Sequence, residues 1–175
     1  MSARAQQLLT LGQSVWLDFI RRGPLVSGEF DRQVAEDGVV GVTSNPTIFQ
    51  QAIAKSTDYD TALAAAIAKG LEGEALFEAL AIEDIQMACD RMRAVYDGSK
   101  GMDGRVSIEV SPRLAHDSAG TLAAAKRLHA AVARENVMIK IPATAAGLPA
   151  ITGAIAAGIS VNVTLIFSVE RYLGV

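Results

Sequence analysis

The sequence predicts an α/β protein whose parallel strands curl toward a barrel, on three grounds. Five apolar, β-branched runs each lead into a stretch that reads as helix, the rhythm of repeated parallel strand–helix units. Within these runs one set of alternate positions is apolar and the other carries polar groups, which burial on both faces of a flat sheet does not explain. A chain of 175 residues, half of them hydrophobic, is also long enough to bury one sizeable core.

The first run is Ser14 to Phe19, with Val15, Leu17 and Phe19 on one face and Ser14, Trp16 and Asp18 on the other. The second, Gly38 to Ser44, continues into Asn45 and puts Gly41, Thr43 and Asn45 on the polar side. The connection from Pro46 to Gly104 is much longer than the others, and a helical elaboration is predicted over 46–104. Phe77, Leu80, Ile85, Ala88, Cys89, Met92 and Val95 form its amphipathic stripe, which assigns Cys89 and Met92 to the core. Gly98, Gly101 and Gly104 punctuate the return to a third strand, Val106 to Ser111, where Ser107, Glu109 and Ser111 oppose Val106, Ile108 and Val110.

Between Ala119 and Arg134, Leu122, Ala125, Leu128 and Val132 recur at helical spacing, with Lys126, Arg127 and Arg134 largely opposite. The fourth strand, Val137 to Ile141, places Lys140 with Met138, away from Val137, Ile139 and Ile141. In the fifth, Val161 to Phe167, Asn162 and Thr164 face away from Val161, Val163 and Leu165. No internal repeat or linker marks a boundary, so 1–175 reads as one domain.

An open doubly wound sheet covered on both faces should be apolar on both, whereas a barrel can hold polar groups at the mouth of its interior. In a barrel, Asp18, Asn45, Glu109, Lys140 and Asn162 converge from successive strands on one cavity. Each also has a plainer reading. Asn45 before Pro46 can cap a helix. Asp18 can pair with Arg21 or Arg22, Glu109 with Arg113, and Lys140 with Glu109 as a structural ion pair or outward to water. Thr164 can be an ordinary β-branched strand residue. Their common face is what favours a site.

The formal charge of −3 with scattered Lys and Arg argues against a nucleic-acid surface. The lone Cys89 forms no internal disulfide, no Cys or His pair has metal-ligand spacing, and the N-terminus has no sustained apolar segment, so a cytoplasmic, metal-free protein is predicted. From Ile141 to Val169 no residue is charged, but Pro142, Gly147, Pro149, Gly153 and Gly158 divide that run, and a membrane span is the weaker reading.

A lysine attacks a carbonyl only as the neutral amine, a form that burial in a desolvated barrel mouth favours. The protonated imine then withdraws electrons from the neighbouring carbon–carbon bond, while carboxylates such as Glu109 and Asp18 move protons directly or through water. Asn45, Asn162 and Thr164 can orient substrate hydroxyls. The set points to cleavage and formation of carbon–carbon bonds on a hydroxylated carbonyl compound.

GVTSNPTIF (Gly41 to Phe49), SIEVSPRLAHD (Ser107 to Asp117), NVMIKIPAT (Asn136 to Thr144) and GISVNVTLIFSVERY (Gly158 to Tyr172) carry a family resemblance. With QSVWLDFI (Gln13 to Ile20) before them, the sequence resembles the larger bacterial transaldolases from Gly12 onward. The resemblance implies a TIM-type (β/α)8 barrel that uses no metal or cofactor and moves a dihydroxyacetone unit between sugar phosphates of the pentose phosphate pathway. By motif, Lys140 is the Schiff-base lysine, Asp18 the acid/base at the cleaved bond and Glu109 the proton shuttle through a water. Thr164 helps fix that water, Asn45 and Asn162 hold the dihydroxyacetone moiety, and Thr43 and Ser107 line the pocket.

An eight-stranded barrel takes about 250 residues, and this sequence reaches Val175 just past its fifth strand. The expected fold is thus an incomplete barrel of about five strand–helix units, with the family's phosphate-binding Ser and Arg beyond its end. Open sheet edges predict self-association or pairing with a missing C-terminal half. Two alternatives stay open beside transfer: an inactive fragment that only associates, and a related Schiff-base aldolase that releases free dihydroxyacetone.

Overall fold

The computed structural model describes residues 3–175, so Met1 and Ser2 of the predicted 1–175 domain lie outside the described residues. One parallel sheet contains β1 (Trp16–Leu17), β2 (Gly41–Thr43), β3 (Arg105–Glu109), β4 (Val137–Pro142) and β5 (Val161–Thr164), in the order β1-β2-β3-β4-β5. Because that order never reverses, every right-handed crossover steps the same way and the helices fall on one face. A doubly wound sheet reverses at a switch point and is covered on both faces. The sheet is therefore of the barrel type, an α/β arrangement consistent with an incomplete TIM barrel, and its bare face is the inner wall.

Helix α1 (Ala3–Thr10), which the apolar pattern did not reveal, precedes the sheet. Between β1 and β2 come α2 (Arg22–Ser27), α3 (Glu29–Arg32) and a π-helical turn (Gln33–Asp37). Between β2 and β3 come α4 (Pro46–Ala54), α5 (Asp60–Ala68) and the long α6 (Gly73–Gly98). A 3-10 turn (Pro112–Leu114) and α7 (Ser118–Val132) follow β3, α8 (Gly147–Ala156) follows β4, and α9 (Val169–Gly174) follows β5.

The core lies between the sheet's outer face and these helices. Val42, Val106, Ile108, Val137, Ile139 and Ile141 pack against Ala88, Cys89 and Met92 of α6, Ala125, Leu128 and Val132 of α7, and Ile151 of α8. Each large aliphatic side chain buried there contributes about 1.5–3 kcal/mol of transfer free energy. Cys89 is wholly inside, and burial pushes its thiol up to about 12, so it is an inert core residue. The charge-free run is divided among the end of β4, α8 and β5, and among the described residues no helix is long and apolar enough to cross a membrane.

The strands are shorter than the apolar runs that announce them. β1 pairs with β2 through two residues only, Trp16↔Gly41 and Leu17↔Val42. Asp18 and Asn45 therefore sit just past strand ends, which corrects the expectation of one polar residue from each strand. β5 stops at Thr164, short of Phe167, because Leu165 takes a φ of +62° that leaves the extended region.

A buried polar network joins α2 to α6. Arg22 Nε donates to Asp84 Oδ1 at 2.7 Å, Arg22 Nη2 to Glu83 Oε2 at 2.9 Å, and Tyr59 OH to Asp84 Oδ2 at 2.7 Å. Tyr59 and Asp84 have no exposed surface. Gly104, at the entry to β3, is equally constrained: its φ is +73°, and an added Cβ would collide with the backbone of Tyr96 and Met92. Gly104→Ala is expected to destabilise the fold by about 2–4 kcal/mol, measured by urea unfolding, since both left-handed strain and overpacking apply.

Candidate active site

Strand register gathers the polar side chains of the inner face. The pairings Glu109↔Lys140 and Lys140↔Asn162 set those residues abreast on β3, β4 and β5, and Thr43↔Ser107 lies one row nearer the strands' N-terminal ends. Ser107 Oγ donates to Thr43 Oγ1 at 3.1 Å and accepts from Asn162 Nδ2 at 3.1 Å. The second bond passes over β4. Neighbouring strands stand about 4.8 Å apart, so short side chains of β3 and β5 meet only where the face is concave.

Lys140 makes the same kind of span toward β2. Its Nζ donates to the Ser44 carbonyl at 3.2 Å and lies 3.3 Å from Glu109 Oε2, with the two side chains 12% and 17% exposed. Burial holds the Glu109 carboxyl above its ordinary value, Lys140 pulls against that shift, and the charge of Asp18 adds to it. A folded-state value raised above the ordinary 4.5 means that the native state binds the extra proton. This term therefore favours folding at low pH and is lost as pH rises through Glu109's titration. Relative to Glu109→Gln, the native chain is expected to lose stability as pH rises above about 4.5, which urea unfolding at several pH values would show.

The remaining residues stand around this cluster. Asp18 is exposed at the end of β1, and its neighbouring arginines are engaged elsewhere: Arg21 Nε lies 3.1 Å from Asp58, and Arg22 binds Asp84 and Glu83. Arg113 reaches Glu74 at 3.4 Å, so the considered Glu109–Arg113 pair is replaced by Glu109–Lys140. Asn45 does cap α4: its Oδ1 accepts from Ile48 N at 2.9 Å, which leaves the Nδ2 donors to meet a ligand. Thr164 is half-buried at the end of β5, opposite Pro142.

Two features escaped the sequence reading. The main-chain carbonyl of Ser44 is an acceptor for Lys140, and no side-chain pattern announces a backbone contact. A cleft of about 690 Å³ also opens on the helical side of the same rim, between α4, α6 and α7. Asn45 and Glu109 belong to its walls and Lys140 does not. Phe49 and Phe77 meet edge to face in it at 6.2 Å, and the Arg127–Glu78 ion pair stands at its margin.

Chemically, the arrangement offers a half-buried primary amine, a carboxyl whose proton is retained more firmly than usual, and three hydroxyl or amide side chains joined to one another. Residues 15–175 match the family model described as transaldolase/fructose-6-phosphate aldolase. The chain is 50% identical over 175 residues to a transaldolase of Renibacterium salmoninarum, covering all of this chain and 47% of that protein. It is 51% identical over 175 residues to a transaldolase of Thermobifida fusca, covering all of this chain and 48% of that protein. It is 53% identical over 167 residues to transaldolase 1 of Streptomyces coelicolor, covering 95% of this chain and 44% of that protein. The chain thus spans about half the length of the curated relatives it matches. With nearly its whole length matched by the family model, the chain belongs to the transaldolase/fructose-6-phosphate aldolase family.

Proposed function

We propose that this chain carries the Schiff-base half of a transaldolase site, which moves a dihydroxyacetone unit between sugar phosphates of the cytoplasmic pentose phosphate pathway. The observation that carries the reading is the placement of the Lys140 amine on the concave face, 3.3 Å from Glu109 and abreast of Asn162.

In this reading Lys140 Nζ adds to the ketone carbon and the resulting carbinolamine loses water, giving a protonated imine. Glu109, whose burial favours its acid form, supplies the proton for that water and recovers it through a water in the reverse step. Thr164 helps fix the shuttling water. Asp18, at the open end of β1, takes the proton of the hydroxyl as the carbon–carbon bond breaks and an aldehyde leaves. The electron pair stays on the imine-bound fragment as an enamine, which adds to the acceptor aldehyde. Asn162 and the Asn45 amide hold the fragment's hydroxyls, and Thr43 and Ser107 form the floor beneath it.

Borohydride trapping with fructose 6-phosphate, followed by peptide mass spectrometry, tests this. A reduced adduct on Lys140 is expected; folded protein that yields none there would sink the reading. Comparing turnover with and without an acceptor aldehyde separates transfer from simple aldol cleavage, since equal release without acceptor identifies an aldolase.

A second reading concerns association. The edge strands β1 and β5 each have one neighbour among the described residues, and Phe167, Val169, Tyr172 and Leu173 beside β5 are all more than two-thirds exposed. Self-association through this edge is expected to appear in sedimentation velocity as species heavier than 18.4 kDa. Phe167→Glu with Leu173→Glu should return the protein to a monomer, and a monomer in the unsubstituted chain would dismiss the idea.

A further inference from the structure

Lys140 Nζ meets two acceptors within hydrogen-bond reach on the inner face: Glu109 Oε2 at 3.3 Å and the Ser44 carbonyl at 3.2 Å. A neutral amine has two N–H donors and one lone pair. If both donors are committed to fixed acceptors, the lone pair is left in one direction, and a nucleophile held that way meets its target without an orientational search. Glu109 is a side chain that must move protons, so the backbone carbonyl is the stationary member of the pair.

What fixes that carbonyl is the Ser44 hydroxyl. Ser44 falls on the apolar side of β2's alternation, in line with Val40 and Val42, and is only 1% exposed. A hydroxyl there costs desolvation unless it is paired, and it is: Ser44 Oγ donates to the Ser107 carbonyl at 2.8 Å. On one side of Ser44, Thr43 is tied to Ser107 through their hydroxyls at 3.1 Å. On the other, Asn45 is committed to the cap of α4 at 2.9 Å. The Ser44 peptide is thus tethered to β3, the strand that also carries Glu109.

Resting on the Schiff-base reading above, we infer that Ser44 is a positioning residue: its buried hydroxyl pins the β2–α4 turn to β3 so that its own carbonyl aims the Lys140 amine. An apolar residue of similar size would fill the same space and would not hold the carbonyl in place.

The test uses two readouts on the whole chain, with Ser44→Ala, the near-isosteric Ser44→Cys and the hydroxyl-retaining Ser44→Thr. Water exchange of the Lys140 Nζ protons, followed by NMR on protein carrying 15N-lysine, reads the anchor without any chemistry. It is expected to rise roughly five- to tenfold in the Ala and Cys variants and to stay near the native rate in Ser44→Thr. Reductive trapping of the neutral ketone dihydroxyacetone with cyanoborohydride reads the amine's aim, and adduct formation at Lys140 should fall between about tenfold and a hundredfold in the same two variants. Backbone amide spectra confirm that each variant is folded, and Ser44→Cys serves where Ser44→Ala is not. Unchanged Nζ exchange in a folded Ala or Cys variant overturns the inference. Faster exchange in those variants, with no adduct even in the native chain, upholds Ser44 as the anchor and overturns the Schiff-base reading instead.

Discussion

Asp84→Ala is expected to lower the free energy of unfolding by about 3–5 kcal/mol, the loss that follows when one partner of a buried charge pair is removed. The Asp84 side chain has no exposed surface, and its two oxygens take the Arg22 Nε and the Tyr59 hydroxyl, each at 2.7 Å. Removing it leaves a guanidinium that is 10% exposed without its buried counter-charge. Glu83, 2.9 Å from Arg22 Nη2 and 54% exposed, compensates in part, which places the loss toward the lower end of the range. The geometry also predicts the outcome of a paired change: Arg22→Met with Asp84→Leu leaves no charge buried alone and should recover part of the loss. Urea unfolding of the three variants measures this, and a loss below about 1 kcal/mol for Asp84→Ala would show that the network contributes little.

That network links stability to the site, because Arg22 stands a few residues beyond Asp18. The Arg22 backbone N–H donates to Tyr59 OH at 3.1 Å, and the guanidinium lies 5.0 Å above the Tyr59 ring. The loop that carries Asp18 is thereby moored to α6 on its far side, while β1 itself contributes only two paired residues. Loosening the mooring is therefore expected to disturb Asp18 before it disturbs Lys140, which sits in a strand paired on both sides.

The parts legible in the sequence are those governed by strict alternation. Val137, Ile139 and Ile141 are buried and Lys140 is on the opposite face because successive strand residues cannot point the same way. The same rule placed Ser107 and Glu109 together, and sequential register then set Glu109, Lys140 and Asn162 in one row. What alternation cannot give is where pairing stops. Asp18 and Asn45 continue the period of their strands, yet each lies past the last ladder residue, since strand length depends on the neighbour as well as the residue. Nor could it reveal Asp84: on a 26-residue helix rich in charge, adjacent Glu83 and Asp84 look alike, and contact with α2 alone decides which is buried. The role of the Ser44 carbonyl was invisible for a different reason, since a main-chain oxygen carries no residue-type signal.

Lys140→Arg is expected to abolish the borohydride-trapped adduct and to reduce any transfer activity by on the order of 10⁴ or more, while leaving the fold intact. Arginine keeps a positive charge near Glu109 and the Ser44 carbonyl, so the electrostatic and hydrogen-bonding demands of the inner face remain satisfied. It cannot supply the lone pair, because a guanidinium stays protonated in proteins. The substitution thus separates the two readings of the Lys140–Glu109 contact. If the pair is only structural, Lys140→Arg preserves whatever the native chain does, and trapping in the native chain labels lysines without preference. If Lys140 is the nucleophile, the fold survives, with unfolding free energy within about 1 kcal/mol of native, and the adduct disappears from that one position. On the same reading Glu109→Gln gives the complementary pattern: the amine is still present to be trapped, but the group proposed to deliver and recover the proton is gone, so imine formation is expected to slow by about 10²–10⁴ without being eliminated. Loss of the adduct in Lys140→Arg together with its slow formation in Glu109→Gln is a combination that neither a structural ion pair nor general destabilisation produces.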